Sequence, residues 1–214
     1  VNVWEYQLIQ NLYADLDGDG KISNGTNKLG DTGDYRIIGN STPRFKYGIT
    51  LDAAWKGFDF SIFMQGIGKR DLWLDGCYFW GANGQGNEWQ STGFAEHWDF
   101  FRPEGDPLGA NLNSYYPRVN FSGDRNTKVQ TRYLQNGAYL RLKNVQLGYT
   151  LPRVWTEKAG ISSVRVYVSG DNLATITSLS KIFDPEATGS LAGTGSGKLY
   201  PLQRVISVGV NVNF

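Results

Sequence analysis

The sequence predicts an all-β fold of antiparallel strands, because of its composition, its alternating apolar positions and its lack of long apolar runs. The 214 residues include 27 Gly and 7 Pro, and 14% are aromatic, a composition that favours strands and turns. No stretch reaches the roughly 18 consecutive apolar residues of a membrane-spanning helix. With 21 basic and 20 acidic residues the net charge is +1, so no basic surface for nucleic acid is expected.

The first half of the chain contains three predicted strands. Residues 1–13 alternate weakly and are predicted as the first strand. Residues 44–55 carry their apolar side chains at odd positions, and residues 58–64 carry them at even positions. Lys56 and Gly57 lie between these two runs and predict a tight hairpin.

The second half contains three more predicted strands. Residues 139–151 alternate, but the phase slips near Lys143 and Asn144, which predicts a β-bulge. The next strand begins at residue 164, and the chain ends on a regular alternation from Ile206 to Phe214. The prediction is therefore six strands in all.

The connections between these strands alternate between long and short. The long ones are 14–43, 68–137 and 173–203. In an up-and-down antiparallel sheet, alternate connections lie at the same edge, so the three long loops share one edge. Outer-membrane barrels show this asymmetry, and six strands are too few to enclose a lumen, so a larger wall is implied. A soluble β-sandwich stays open as an alternative, since it explains the alternation equally well but not the loop asymmetry.

Short motifs in a fixed order support the barrel interpretation. They include Asp17-Gly18-Asp19-Gly20-Lys21-Ile22, Arg36-Ile37-Ile38-Gly39-Asn40, Lys56-Gly57-Phe58-Asp59-Phe60, Tyr139-Leu140-Arg141-Leu142-Lys143-Asn144, Leu147-Gly148-Tyr149 and Asp184-Pro185-Glu186. In this order the chain resembles the C-terminal part of the SusC/RagA-like TonB-dependent transporters of the Bacteroidetes outer membrane. The resemblance extends over nearly all of residues 1–214 and is weakest over 69–136.

This resemblance implies both a fold and a function. The chain would form the last strands, about six, of a transmembrane barrel of about 22 strands with long extracellular loops at 68–137 and 173–203. It would be part of a non-enzymatic importer of glycans or peptides in the outer-membrane lipid of a Gram-negative cell. Its partners would be a SusD-like surface lipoprotein and, through an N-terminal part not in this chain, TonB. The alternatives are a secreted, Ca²⁺-stabilised carbohydrate-binding β-sandwich and a β-rich glycosidase domain.

A cluster of acidic residues in the loop 14–43 suggests a Ca²⁺ site. Its spacing resembles the first half of an EF-hand loop, in which oxygen ligands at alternate positions surround a hard cation. Thr26 occupies the position where a bidentate Glu is expected. The predicted ligands are Asp15, Asp17, Asp19, the Lys21 carbonyl, and Asp31 or Asp34. The alternative is an Asp-Gly turn whose carboxylates are hydrated.

Two further groups of residues are candidates for binding. In the loop 68–137, Trp80 and Trp89 are predicted to contact a sugar or a peptide, with folding of the loop onto itself as the alternative. In the strand 204–214, Gly209, Val212 and Phe214 resemble the C-terminal signal of the barrel-assembly machinery, where a strand edge is captured by strand addition.

The sequence offers little for catalysis. His97 is the single histidine and cannot form a multi-histidine metal site, so a hydrogen-bonding role in its loop is expected. Asp184 and Glu186 flank Pro185, which favours a turn or a metal contact over an acid and base pair.

Overall fold

The computed structural model describes residues 14–26, 28–83, 93–120, 127–188 and 199–214. The chain divides into two compact units. The first unit comprises Val1–Gly39, Trp73–Leu134 and Leu191–Lys198, and the second comprises Asn40–Leu72, Gln135–Ser190 and Leu199–Phe214.

The second unit is built on a five-stranded antiparallel sheet whose strands follow one another in chain order. These strands are β1 Lys46–Trp55, β2 Phe58–Ile67, β5 Tyr139–Thr150, β6 Ser163–Thr177 and β7 Val205–Asn213, and a separate pair is formed by β3 Asp71–Leu72 and β4 Gln135–Asn136. Five of the six predicted strands are therefore confirmed. The remaining one, residues 1–13, lies outside the described residues.

The hairpin between β1 and β2 has the predicted two-residue turn. Trp55 pairs with Phe58, and the two residues between them both have positive φ, 47° at Lys56 and 88° at Gly57. Two positive φ values match the twist of the flanking strands, which explains why so short a loop ends in Gly.

The predicted bulge in β5 keeps the apolar side chains on one face of the sheet. Phe63 pairs with Asn144 and Met64 pairs with Leu142, so Lys143 is the extra residue. Side chains in a strand alternate between faces, and the extra residue therefore brings the even apolar positions before it onto the same face as the odd ones after it.

The helical segments are short. The first unit contains α1 Cys77–Trp80 and the 3₁₀ turns Ala95–Trp98 and Thr131–Tyr133, and the second contains α2 Arg153–Thr156 and the 3₁₀ turn Glu157–Ala159. Of the helices in the described part of the chain, none has the length and apolarity needed to cross a membrane.

The two units have separate cores. In the first unit, Leu74, Phe79 and Tyr133 are almost completely buried, and the rings of Trp80 and Tyr133 meet edge to face at 4.8 Å. In the second unit, the buried apolar residues lie near the strand ends that lead into the long connections; they are Leu72, Tyr139, Leu179 and Phe183.

Candidate functional site

The five-stranded sheet has one continuous apolar face. The pairing places apolar residues of all five strands side by side, as in the rows Leu51–Ile62–Val145 and Val166–Val210. Many of these side chains are exposed, among them Leu51, Phe58, Leu147, Val168, Ile206, Val208 and Val210. Monomeric soluble proteins rarely expose contiguous apolar surface of this extent, so this face is suited to a nonaqueous environment.

Aromatic side chains gather on the apolar face at the end of the short turns. Trp55 is 69% exposed beside the hairpin, and the ammonium group of Lys56 lies 4.8 Å from its ring. The rings of Phe58 and Tyr149 are 4.5 Å apart. Aromatic rings with a nearby cation are typical of the boundary between hydrocarbon and water.

The opposite face of the sheet is polar and carries an ion pair that spans three strands. The guanidinium group of Arg165 on β6 binds both carboxylate oxygens of Asp59 on β2, with a distance of 2.8 Å from Nε to Oδ1. Between them on β5 is Gly148, where a Cβ atom would come within 2.5 Å of both partners. The glycine leaves the space through which the ion pair forms.

A segment of the third long connection is bound to the polar face, and we call residues 178–188 the strap. Arg141 Nη2 donates to Asp184 Oδ1 at 2.7 Å, and Lys143 Nζ donates to Glu186 Oε2 at 2.9 Å. Arg141 is only 4% exposed, and its Nε donates to the Thr175 hydroxyl at 2.8 Å. The predicted turn at Asp184 is present, and both of its acidic side chains bind cations of β5.

Asp184 also binds two backbone groups. Its carboxylate accepts hydrogen bonds from the N–H groups of Glu186, at 2.9 Å, and Leu202, at 3.2 Å. Burial by itself would raise the pKa of Asp184, but the hydrogen bonds from Arg141 and from these two N–H groups outweigh it and hold the pKa below its ordinary value. The carboxylate is therefore charged at neutral pH.

In the loop 14–43, which we call the acidic loop, three of the predicted calcium ligands lie close together. Carboxylate oxygens of Asp15, Asp17 and Asp19 lie within 4.8 Å of one another. Asp15 accepts hydrogen bonds from the N–H groups of Gly18 at 2.6 Å and Gly20 at 2.9 Å. The Asp19 N–H lowers the pKa of Asp17, but desolvation and the neighbouring carboxylates outweigh it, so the net shift is upward. Such mutual repulsion favours a bound cation.

The remaining predicted ligands have partners within the loop. Asp31 accepts hydrogen bonds from the hydroxyl and N–H of Thr26, and Asp34 accepts from the N–H groups of Leu16 and Ser23. These hydrogen bonds lower the pKa of both carboxyl groups. The N–H of Lys21 donates to Asp19 at 2.7 Å. Within the described residues, the clustered acidic group consists of the first three aspartates alone.

The loop 68–137 contains both tryptophans that are predicted to contact a ligand. Trp80 is only 5% exposed and packs against Trp73, Phe79 and Tyr133, which is the alternative role considered for it. Trp89 lies outside the described residues. His97 accepts a hydrogen bond from the Phe94 N–H at Nδ1, so its Nε2 donates to the Phe79 carbonyl. This is the structural role expected for it.

The C-terminal strand lies at the edge of the sheet. Gly209 is opposite Tyr167, where a Cβ would come within 2.4 Å of the tyrosine ring. Val212 pairs with Val164 on the apolar face, and Phe214 is 90% exposed at the chain end. In the described part of the chain β7 pairs only with β6, so its other edge can accept a further strand.

Two features were missed by sequence reasoning. These are the Arg141–Asp184 and Lys143–Glu186 pairs, which hold the strap, and the Asp59–Arg165 pair over Gly148. Each of these cations occupies a polar position of its strand, which the sequence shows. The carboxylate that it binds lies 43 or 106 residues away in the sequence, which no local pattern shows.

The antiparallel sheet thus has an apolar face, a polar face and β7 at one edge, and comparisons with known proteins relate it to a known class. No family model matches the chain. It is 33% identical over 213 residues to TonB-dependent receptor P3 of Formosa agariphila and 29% identical over 212 residues to TonB-dependent receptor P26 of the same organism. These alignments include 95% and 94% of this chain, and the chain spans 19% of the length of each relative.

Solved structures show the same relationship. The RagAB peptide importer in the open-open state matches with a TM-score of 0.62 and 27% identity, over 86% of this chain and 19% of that chain. The closed-closed state matches with a TM-score of 0.59 and 26% identity, over 92% and 20%. The resemblance inferred from the sequence is confirmed: the chain is a relative of SusC/RagA-like TonB-dependent transporters and corresponds to about a fifth of their length. Its relatives are receptors and transporters rather than enzymes.

Proposed function

We propose that the chain is the C-terminal wall segment of a TonB-dependent importer in a bacterial outer membrane. It would supply the last strands of a closed barrel of about 22 strands, with its apolar face in lipid and its polar face toward the lumen. TonB would act through the N-terminal part of the whole protein, and a SusD-like lipoprotein would cover the outer mouth. The likeness to TonB-dependent receptors and to the RagAB importer supports this proposal.

The observation that carries the proposal is the exposed apolar face. Val208 in the middle of β7 is 76% exposed, and its neighbours on the same face are apolar across the whole sheet. In water this surface would be strongly unfavourable, at about 25 cal/mol per Å² of apolar area. In a lipid bilayer the same surface is stabilising, and the paired backbone of the sheet satisfies its hydrogen bonds internally.

Peptides are the cargo that the comparisons favour. Solved structures that resemble this chain include those of the RagAB peptide importer, whereas the sequence alone leaves peptides and glycans open. We infer that the cargo is a peptide, and a glycan is the second candidate.

Spin labels on neighbouring residues of β7 test the membrane assignment. In the full-length protein, with Cys77 replaced by Ser and without other thiols, nitroxide labels are placed at V208C and, as the matched control, at S207C. Lipid exposure predicts that the label at residue 208 collides with oxygen and the label at 207 with a water-soluble nickel complex. Equal access of the nickel complex to both labels would contradict the wall assignment, whereas a label at 208 that is shielded from both oxygen and the nickel complex would favour the secreted β-sandwich.

The acidic loop supports a second proposal, that Asp15, Asp17 and Asp19 bind Ca²⁺. Equilibrium dialysis of the full-length protein against radioactive Ca²⁺ measures the number of bound ions. The double variant D17N/D19N is expected to lose one ion, while Asp52→Asn on the polar face of β1 is the control for removal of a carboxylate elsewhere. An unchanged number in D17N/D19N would refute calcium binding here.

We also propose that Gly209, Val212 and Phe214 are read by the barrel-assembly machinery. The exposed ring of Phe214 and the unpaired edge of β7 are suited to strand addition. Phe214→Ala is expected to reduce the amount of protein assembled in the outer membrane, and heat-modifiable migration in detergent gels measures that amount.

A further inference from the structure

A cavity of about 590 Å³ lies on the polar face of the sheet where the long connections leave it. Its floor is formed by the first residues of β1, the last residues of β2 and Tyr139 at the start of β5. Pro185 and Glu186 of the strap form one side of it. All of these residues belong to the second unit.

Two cationic side chains line the cavity. Lys46 and Arg70 both line it, and neither forms an ion pair within the part of the chain that the structure describes. Arg70 donates through Nε to the Ser41 carbonyl at 3.1 Å, which orients its guanidinium group. Lys46 extends from the first position of β1 and is exposed. Two positive side chains are therefore available to a ligand.

The single acidic residue of the lining is already neutralised. Glu186 lies 2.9 Å from Lys143 Nζ and 3.6 Å from Arg141 Nε. Its charge is thus compensated by β5. The charged lining residues that remain uncompensated are Lys46 and Arg70, so the charge that the lining presents to a ligand is positive.

The cavity also contains apolar surface. Phe63 is one of the few large apolar residues on the polar face of β2, and it is 36% exposed. Its ring lies over Gly48, where a Cβ would approach it to 3.3 Å. A site with cations on one side and an exposed ring beside them suits an anion that carries an apolar group.

We propose that this cavity binds the carboxylate of an organic ligand, with the Lys46 ammonium and the Arg70 guanidinium as its partners and the Phe63 ring against its apolar part. The inference rests on the proposed import function, and it assigns the carboxylate to the C-terminus of a peptide. A uronic acid of a glycan presents the same chemical group. The strap holds the site in shape through Asp184 and Glu186.

Retention of peptides with and without a terminal charge tests this site. The full-length transporter, with its lipoprotein partner, is incubated with a mixture of random hexapeptides bearing free carboxylates and with the same mixture as C-terminal amides. Mass spectrometry measures what is retained. We expect the acids to be retained about tenfold more than the amides, since only the acids form charge-assisted hydrogen bonds with the two cations.

Variants of Lys46 and Arg70 test whether the preference for acids depends on these two cations. In the double variant K46Q/R70Q the preference for acids is expected to disappear, and in K46R/R70K it is expected to remain in part. R153Q/K158Q removes the same charge from α2 and its 3₁₀ turn and is expected to retain the full preference. Equal retention of acids and amides by the native protein overturns the assignment to a peptide terminus, and an undiminished preference in K46Q/R70Q overturns the site itself.

A third arm identifies the source of the carboxylate. If trigalacturonate is retained in preference to neutral maltotriose, and K46Q/R70Q loses this preference, the carboxylate site stands and its source is a glycan. If no carboxylate ligand is retained, the site is refuted. The spin-label result at residues 207 and 208 does not depend on Lys46 or Arg70, so failure of this site and failure of the wall assignment are distinguishable.

Discussion

The two faces of the sheet differ in whether they carry charged side chains. The apolar face presents valine, leucine and aromatic side chains from all five strands, with no ion pair among the residues that the structure describes. The polar face carries Asp59 and Arg165 at one end and Arg141 with the strap at the other. Charged groups are stable in nonpolar surroundings only where they are paired or hydrated, so under the proposed function the apolar face is the one toward lipid.

The largest expected effect comes from adding a charge to the apolar face. Val208→Arg places a guanidinium group in the middle of β7, whereas Ser207→Arg places it on the polar face one residue away. At the bilayer midplane we expect Val208→Arg to cost about 2–4 kcal/mol of folding free energy and Ser207→Arg to cost much less. Urea titration of the full-length protein in lipid vesicles measures both, and equal costs would remove the distinction between the faces.

A smaller effect is expected from filling the space over Gly148. Gly148→Ala adds a Cβ within 2.5 Å of Arg165 and Asp59, so the ion pair must shift or break. We expect a loss of about 1–3 kcal/mol in the same titration. The control is Gly93→Ala, because a Cβ at Gly93 would meet nothing within 4 Å. An equal loss in both variants would mean that the ion pair does not need the space left by Gly148.

Removal of the ion pair itself is expected to cost less. Asp59→Asn keeps the shape of the side chain but leaves Arg165 without its carboxylate, and both partners are partly exposed. We expect a loss of about 1 kcal/mol or less, reduced further by high salt. The double variant D59N/R165M separates the interaction from the effects of each residue alone, and a coupling of zero would show that the pair contributes nothing.

The smallest effect is a pH dependence confined to the strap. The pKa of Asp184 is lowered in the folded protein, so its contribution to stability is complete above its unfolded pKa of about 3.9 and is lost as the pH falls through the lower, folded value. The protection of the amides of residues 178–188, measured as the intrinsic exchange rate at each pH divided by the observed rate, is therefore expected to be lower at pH 3 than at pH 6. Asp184→Asn is expected to exchange faster at pH 6 and to respond less to pH; an identical pH response in both proteins would exclude Asp184 as the cause.

Sequence reasoning was most successful for features that depend on residues close together in the sequence. Alternation predicted the five strands of the larger sheet, the dipeptide Lys56-Gly57 predicted the turn, and the change of phase predicted the bulge at Lys143. These features depend on neighbouring residues and on the two-residue period of a strand. The Asp15, Asp17 and Asp19 cluster was likewise visible from its spacing.

It was less successful where distant segments meet. The loop 68–137 was treated as one connection, whereas it contains β3, α1, β4 and an aromatic core around Tyr133. Trp80 is predicted as a ligand contact because tryptophan suits sugars, and in the structure it is largely buried in that core. No local pattern distinguishes an aromatic ring that packs on its own loop from one that faces a ligand.

The sequence by itself determined the β class, the face of each strand that is apolar and the family to which the chain is related, because these follow from periodicity and from ordered local motifs. The tertiary structure alone decided which charges meet: Asp59 with Arg165 over Gly148, and Arg141 and Lys143 with the strap. Ion pairs form between residues that folding brings within a few ångström, and their separation along the chain carries no information about that distance.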